Sequence, residues 1–137
     1  MANVKVTWVN GMTFLAADAE HHSIVMDAKP EHGGEGQGVR PLDLLLMAQA
    51  GCMAMDIVSI LQKKRTDLRW YTTEVDGDRS PTDPKRFTAI RLKIRVNPEV
   101  KPDDLQRAFE LSRDKYCSVL GTLQNAPAMA YDVGVSS

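Results

Sequence analysis

Cys52 and Cys117 are the side chains of this chain best suited to covalent chemistry. A thiol reacts as its thiolate, so its value as a nucleophile depends on the charges and hydrogen-bond donors around it. Cys52 follows Gly51 inside an apolar run, and helical spacing sets Ala48, Gln49, Met55 and Asp56 beside it. Gln49, Met55 and Asp56 are therefore candidates to line a substrate pocket. Cys117 stands in Lys115-Tyr116-Cys117-Ser118-Val119, at the junction of two expected helices and near Arg113 and Lys115. The pair lies 65 positions apart, which matches neither a Cys-x-x-Cys redox motif nor a zinc-knuckle spacing. Taken singly, each cysteine also reads as a small buried apolar residue.

Other chemistries find less support. His21, His22 and His32 fall in expected turns without the i, i+4 pairing of helical metal ligands, so no metal is expected. The glycine-rich stretch Gly33-Gly34-Glu35-Gly36-Gln37-Gly38 lacks the Gly-Lys-Ser/Thr ending that cradles phosphate, which argues against nucleotide binding. There is no Gly-x-Ser-x-Gly elbow for a serine hydrolase. No cofactor is expected.

The elements that must position the thiols follow from periodicity. Val4, Val6 and Trp8 alternate with Lys5, Thr7 and Val9, which predicts a half-buried strand, and Asn10-Gly11 predicts a hairpin turn. Two more strands are expected at residues 13–17 and 23–28, followed by a mobile loop at 29–38. Pro41 and Asp43 open a helix running to about Lys64, where Lys63, Lys64 and Arg65 complement the negative end of its dipole. Its middle is apolar on every face, as in a helix surrounded by protein, which a monomer of this length has difficulty covering. Gly51 within it costs about 0.8–1.0 kcal/mol relative to alanine, which predicts a close approach by another backbone or a substrate.

Strands are expected at 68–76 and 86–96, the second with Ile90, Leu92, Ile94 and Val96 on one face and Arg91, Lys93 and Arg95 on the other. Pro102 and Asp103 open a further helix with the stripe Leu105, Ala108, Phe109, Ser112 and Tyr116, then a short helix through Cys117, and residues 128–135 form a final strand. The order βββ-α-ββ-αα-β, without regular βαβ alternation, is that of an α+β fold in one domain spanning 1–137.

Composition bounds the partners. Of 137 residues 43% are hydrophobic and 26% charged, with a formal net charge of −1, which argues against nucleic acid. No aromatic residues are interleaved with Arg91, Lys93 and Arg95, so that face reads as a solvated sheet surface. The most apolar stretch, residues 44–55, is shorter than the roughly 20 residues of a membrane span. No secretory signal is legible, so the cytoplasm is expected, where a permanent disulfide is not.

Several segments resemble the OsmC/Ohr family, in its YhfA-like branch. They are Arg40-Pro41-Leu42-Asp43-Leu44-Leu45-Leu46-Met47-Ala48-Gln49-Ala50-Gly51-Cys52, Asp56-Ile57-Val58-Ser59-Ile60-Leu61-Gln62-Lys63, Lys115-Tyr116-Cys117-Ser118-Val119, Lys5-Val6-Thr7-Trp8-Val9 and Thr13-Phe14-Leu15. The likeness implies an intertwined homodimer, with antiparallel sheets from both subunits around two long central helices and redox sites at the interface. It also implies that Cys52 attacks a small organic peroxide, that Cys117 resolves the product, and that a lipoyl-type dithiol regenerates the thiols. Peroxide-reducing members carry an arginine in the N-terminal strand region held by a glutamate shortly after the helix-opening proline. This chain has no arginine before Arg40, and Leu42 stands at the glutamate position with Asp43 next to it. Arg40 and Asp43 are thus the candidates for a displaced version of that pair. The alternative is a non-enzymatic redox sensor, or a binder of a small apolar ligand among Met47, Met53 and Met55.

Overall fold

The computed structural model describes residues 3–136. Five strands and three helices follow in order: β1 Val4–Asn10, β2 Thr13–Asp18, β3 Ser23–Met26, α1 Pro41–Lys63, β4 Tyr71–Arg79, β5 Phe87–Val96, α2 Pro102–Leu111 and α3 Ser118–Gln124. A π-helical turn, Ser112–Tyr116, joins α2 to Cys117. The fold is mixed α and β with antiparallel sheets, in two compact units that meet within α1, between Ala48 and Gln49.

The first unit is the meander β1-β2-β3 and the loop that leads into α1. The hairpin between β1 and β2 turns at Gly11, whose φ of 50° lies in the left-handed region, and the Trp8 indole donates to the Gly11 carbonyl at 2.9 Å. β1 is exposed along its whole length rather than half-buried, because no element of this unit covers either of its faces. The glycine-rich loop is also not the free segment that its composition predicts. Asp27 is buried, and its carboxylate accepts the amides of Ala28 at 2.7 Å and Gln37 at 3.1 Å and the hydroxyl of Thr13 at 3.0 Å. Burial pushes this carboxyl up, but the amide and hydroxyl donors outweigh it and hold it below its ordinary value.

In the second unit, Met53, Ile57 and Leu61 of α1 form a buried stripe at helical spacing. They pack into one core with Val100, Ala108 and Cys117. Only that stripe is covered, and Met55 is 76% exposed, so α1 is not enclosed on every face within this chain. Nor does anything lie within 4 Å of the position a Cβ would take at Gly51, so the expected close approach is absent from the chain itself. α1 is long and apolar enough to cross a membrane by length and composition, although the 12-residue run at its centre alone is not. Its buried Gln49 and its stripe packed into the core of the second unit are features of a core helix.

β4 begins at Tyr71, three residues later than its pattern suggests. The side chain of Asn97, buried at the end of β5, accepts the amides of Arg69 at 2.6 Å and Trp70 at 3.1 Å and so takes those donors out of the ladder. β4 then continues past Gly77, where the Phe87 ring fills the space a side chain would need. On the outer face of β5, Arg91 pairs with Asp76 and Asp78, in keeping with a solvated surface. The expected final strand does not form among the described residues: 126–136 are exposed and join neither sheet.

Candidate functional site: the two thiols

Cys52 lies in the middle of α1 and Cys117 is the residue that caps α3, and the fold of the second unit packs them together. Both are free thiols, Cys52 partly exposed and Cys117 only 6% exposed. The π-helical turn sets Cys117 in place. Its amide donates to the Ser112 carbonyl at 2.8 Å, five residues back, and its backbone then swings to an extended conformation to start α3. Such turns interrupt regular helices and recur at functional sites. The extra residue also breaks the helical register, which is why Tyr116 of the expected stripe points outward while Ser112 stays buried.

The two sulfurs have different surroundings. Burial pushes the Cys52 thiol up, but the Val119 amide, the Ser118 hydroxyl, the Cys117 thiol and the Ser118 amide all donate towards it and hold it below its ordinary value. The Ser118 Oγ lies 3.7 Å from the Cys52 Sγ. Cys117 goes the other way. Burial raises it, the Leu120 amide at 3.4 Å opposes that, and contact with Cys52 together with the charge of Asp56 raises it further. One thiol is thus biased to the anion and its neighbour to the neutral form, which is the division of labour that a nucleophile and a resolving thiol require.

The three pocket candidates separate. Gln49 is 3% exposed, and its Nε2 donates to Met53 Sδ at 3.3 Å and lies 4.0 Å from Cys117 Sγ, while its Oε1 is buried without a partner. Asp56 accepts the Ser112 hydroxyl at 2.8 Å. Met55, three residues after Cys52, is largely exposed in the single chain. Arg40 and Asp43 do form an ion pair, Nη2 to Oδ2 at 2.7 Å, half-exposed at the start of α1 in the first unit. Among the described residues, no Lys, Arg or His side chain donates a hydrogen bond to either sulfur. Sequence reasoning passed over Ser112 and Ser118. The one available signal was a serine directly after Cys117, in the first position of a helix where amides are unpaired.

Comparison with known proteins agrees with this fold. Residues 34–132 match the family model of the OsmC-like proteins. The chain is 40% identical over 124 residues to Protein YhfA of Escherichia coli K12, covering 89% of each chain. A crystal structure of a hypothetical protein from Aquifex aeolicus VF5 is 28% identical, superposes with a TM-score of 0.80, and is covered over 89% of its length by 92% of this chain. An organic hydroperoxide resistance protein OsmC from Legionella pneumophila shares the fold at 14% identity, with a TM-score of 0.67 over 91% of this chain and 90% of that one.

Proposed function

This chain belongs to the OsmC-like protein family, and on that premise we propose that it reduces organic hydroperoxides with Cys52 as nucleophile and Cys117 as resolving thiol. The observation that carries this is that folding packs two thiols 65 positions apart together, with the Ser118 hydroxyl 3.7 Å from Cys52 Sγ and the Leu120 amide 3.4 Å from Cys117 Sγ. The Cys52 thiolate attacks the distal peroxide oxygen, the O–O bond breaks, and the alkoxide leaves as alcohol after taking a proton, giving a sulfenic acid. Cys117 then attacks that sulfur and water leaves, forming a disulfide. A lipoyl-type dithiol reduces it by exchange, in the cytoplasm, where such reductants operate. Gln49, Met55 and Asp56 are assigned to border the substrate. That the Legionella relative is named for organic hydroperoxide resistance favours the same substrate class.

A homodimer belongs to the same proposal. The chain exposes 10502 Å², whereas even two separate globules of its two units' sizes would expose about 8,500 Å². The surplus includes apolar side chains on β1, on α1 and along the C-terminal segment, where Val133 is 93% exposed. A second copy supplies the missing cover for each.

The test is steady-state consumption of cumene hydroperoxide with dihydrolipoamide as reductant. Wild-type protein should turn over, Cys52→Ser should be inert, and Cys117→Ser should stop after one sulfenic acid per subunit. A wild-type protein whose thiol titre is unchanged after hydroperoxide treatment would overturn the proposal and leave the redox-inert, ligand-binding alternative.

A further inference from the structure

Ser112 is fully buried, and two of its polar groups, the hydroxyl and the carbonyl, serve the surroundings of the thiols. Its hydroxyl donates to Asp56 Oδ2 at 2.8 Å, and its carbonyl accepts the Cys117 amide at 2.8 Å. Asp56 sits four residues after Cys52, hence on the same face of α1 and one turn further on. α1 thus carries the nucleophile and, next to it, the carboxylate to which the other cysteine's backbone is tethered.

We propose that Asp56, acting through Ser112, is a positioning residue that holds Cys117 beside Cys52 as the resolving member of the pair. This presupposes the peroxide chemistry assigned to the two sulfurs and deepens it, by giving the reason that two adjacent thiols do different work. The groups facing Cys117 are Cys52, Asp56 and the uncharged Gln49 from α1, and the Leu120 amide from α3. None of them is a cation. Two thiolates in contact repel, so one proton stays with the pair; burial and the contact with Cys52 keep it on Cys117, and the negative charge of Asp56 adds to that bias. A neutral Cys117 donates its S–H to the Cys52 thiolate and does not compete for peroxide. Once Cys52 is a sulfenic acid, the Cys117 sulfur forms the S–S bond, the Cys52 S–O bond breaks, and the thiol proton leaves with the hydroxyl as water.

Two variants separate charge from tether. Asp56→Asn keeps an acceptor for the Ser112 hydroxyl and removes the charge, while Ser112→Ala keeps the charge and removes the tether. In a Cys52→Ser background, the ultraviolet absorbance of the thiolate reports Cys117 alone and needs no access to solvent. Asp56→Asn should move its titration midpoint down by about half a pH unit or more, and Asp56→Glu should return it to the parental value. In protein with both cysteines, Ser112→Ala should slow disulfide closure by diamide about tenfold, the loss of one buried hydrogen bond. An unmoved midpoint in a folded Asp56→Asn protein would overturn the role of the charge, and disulfide closure at the parental rate in Ser112→Ala would overturn that of the tether. Neither measurement uses a hydroperoxide. A protein inert to peroxide that still shows both effects would retire the peroxidase proposal and leave the Asp56–Ser112–Cys117 linkage standing.

Discussion

The hydroxyl of Ser118 stands 3.7 Å from the sulfur of Cys52, although 66 residues separate them in the chain. A nucleophilic thiol half-buried in the middle of an apolar helix is badly placed, because the helix dipole helps little there and desolvation favours the neutral form. The start of α3 supplies what α1 lacks: a hydroxyl and two amides directed at the sulfur.

Ser118→Ala should therefore raise the Cys52 thiol by about one pH unit, the worth of one hydrogen bond to a charged group. The measurement is the pH dependence of Cys52 alkylation by iodoacetamide in a Cys117→Ser background. Peroxide reactivity at neutral pH should fall by the same factor. An unshifted midpoint would mean that the amides of Ser118 and Val119 suffice.

Gln49→Leu should be close to neutral for stability, or slightly stabilising. The buried Oε1 has no partner, and an unsatisfied polar atom of this kind costs about 1–3 kcal/mol. Removing the amide removes that cost along with its weak contacts to sulfur. A thermal melt decides it: a drop of more than about 5 °C would show that the carbonyl has a partner in solution, such as a bound water.

Leu61→Ala tests the core without touching the site. Leu61 is fully buried two turns beyond Cys52, and truncation should cost about 2–5 kcal/mol in denaturant unfolding. The thiol titration midpoints should not move.

Asp27 gives a pH dependence with a definite sign. Its folded-state carboxyl is held below the ordinary value, so the folded chain releases this proton more readily than the unfolded one. The stabilisation is present above the unfolded value of about 4 and is lost as pH falls through the lower, folded one. The hydrogen-exchange protection factors of the Glu35 and Gln37 amides should fall selectively on acidification. Asp27→Asn should abolish that acid-linked change.

The apparent mass in sedimentation equilibrium should be twice 15.2 kDa. Aspartate at both Val6 and Val133, which are exposed in the single chain, should shift the protein towards the monomer. A wild-type monomer at micromolar concentration would contradict the dimer.

Much of this was legible in the residues themselves. The alternation in Phe87–Val96, the helix opened by Pro41 and closed by Lys63, and the hairpin at Asn10-Gly11 are local matters, set by side-chain period, dipole and backbone freedom over a few residues. The two thiols stood out because reactive side chains were few, and the family resemblance tied them together. Residues 128–135 were misread for an equally physical reason. Alternating apolar side chains show that a segment suits a sheet, but a strand exists only where another backbone accepts its hydrogen bonds.

What the tertiary structure alone decided is which atoms face the sulfurs. Sequence named only chain neighbours of Cys52, whereas folding brings the Ser118 hydroxyl up to that thiol and the Asp56 carboxylate to the hydroxyl of Ser112. It also buries Ser112 as the link between them, at a π-helical turn that no periodicity announces. The reason is that secondary structure follows from neighbours in the chain. A thiol's protonation depends on charges and donors a few ångströms away, and these come from distant positions that only packing brings together.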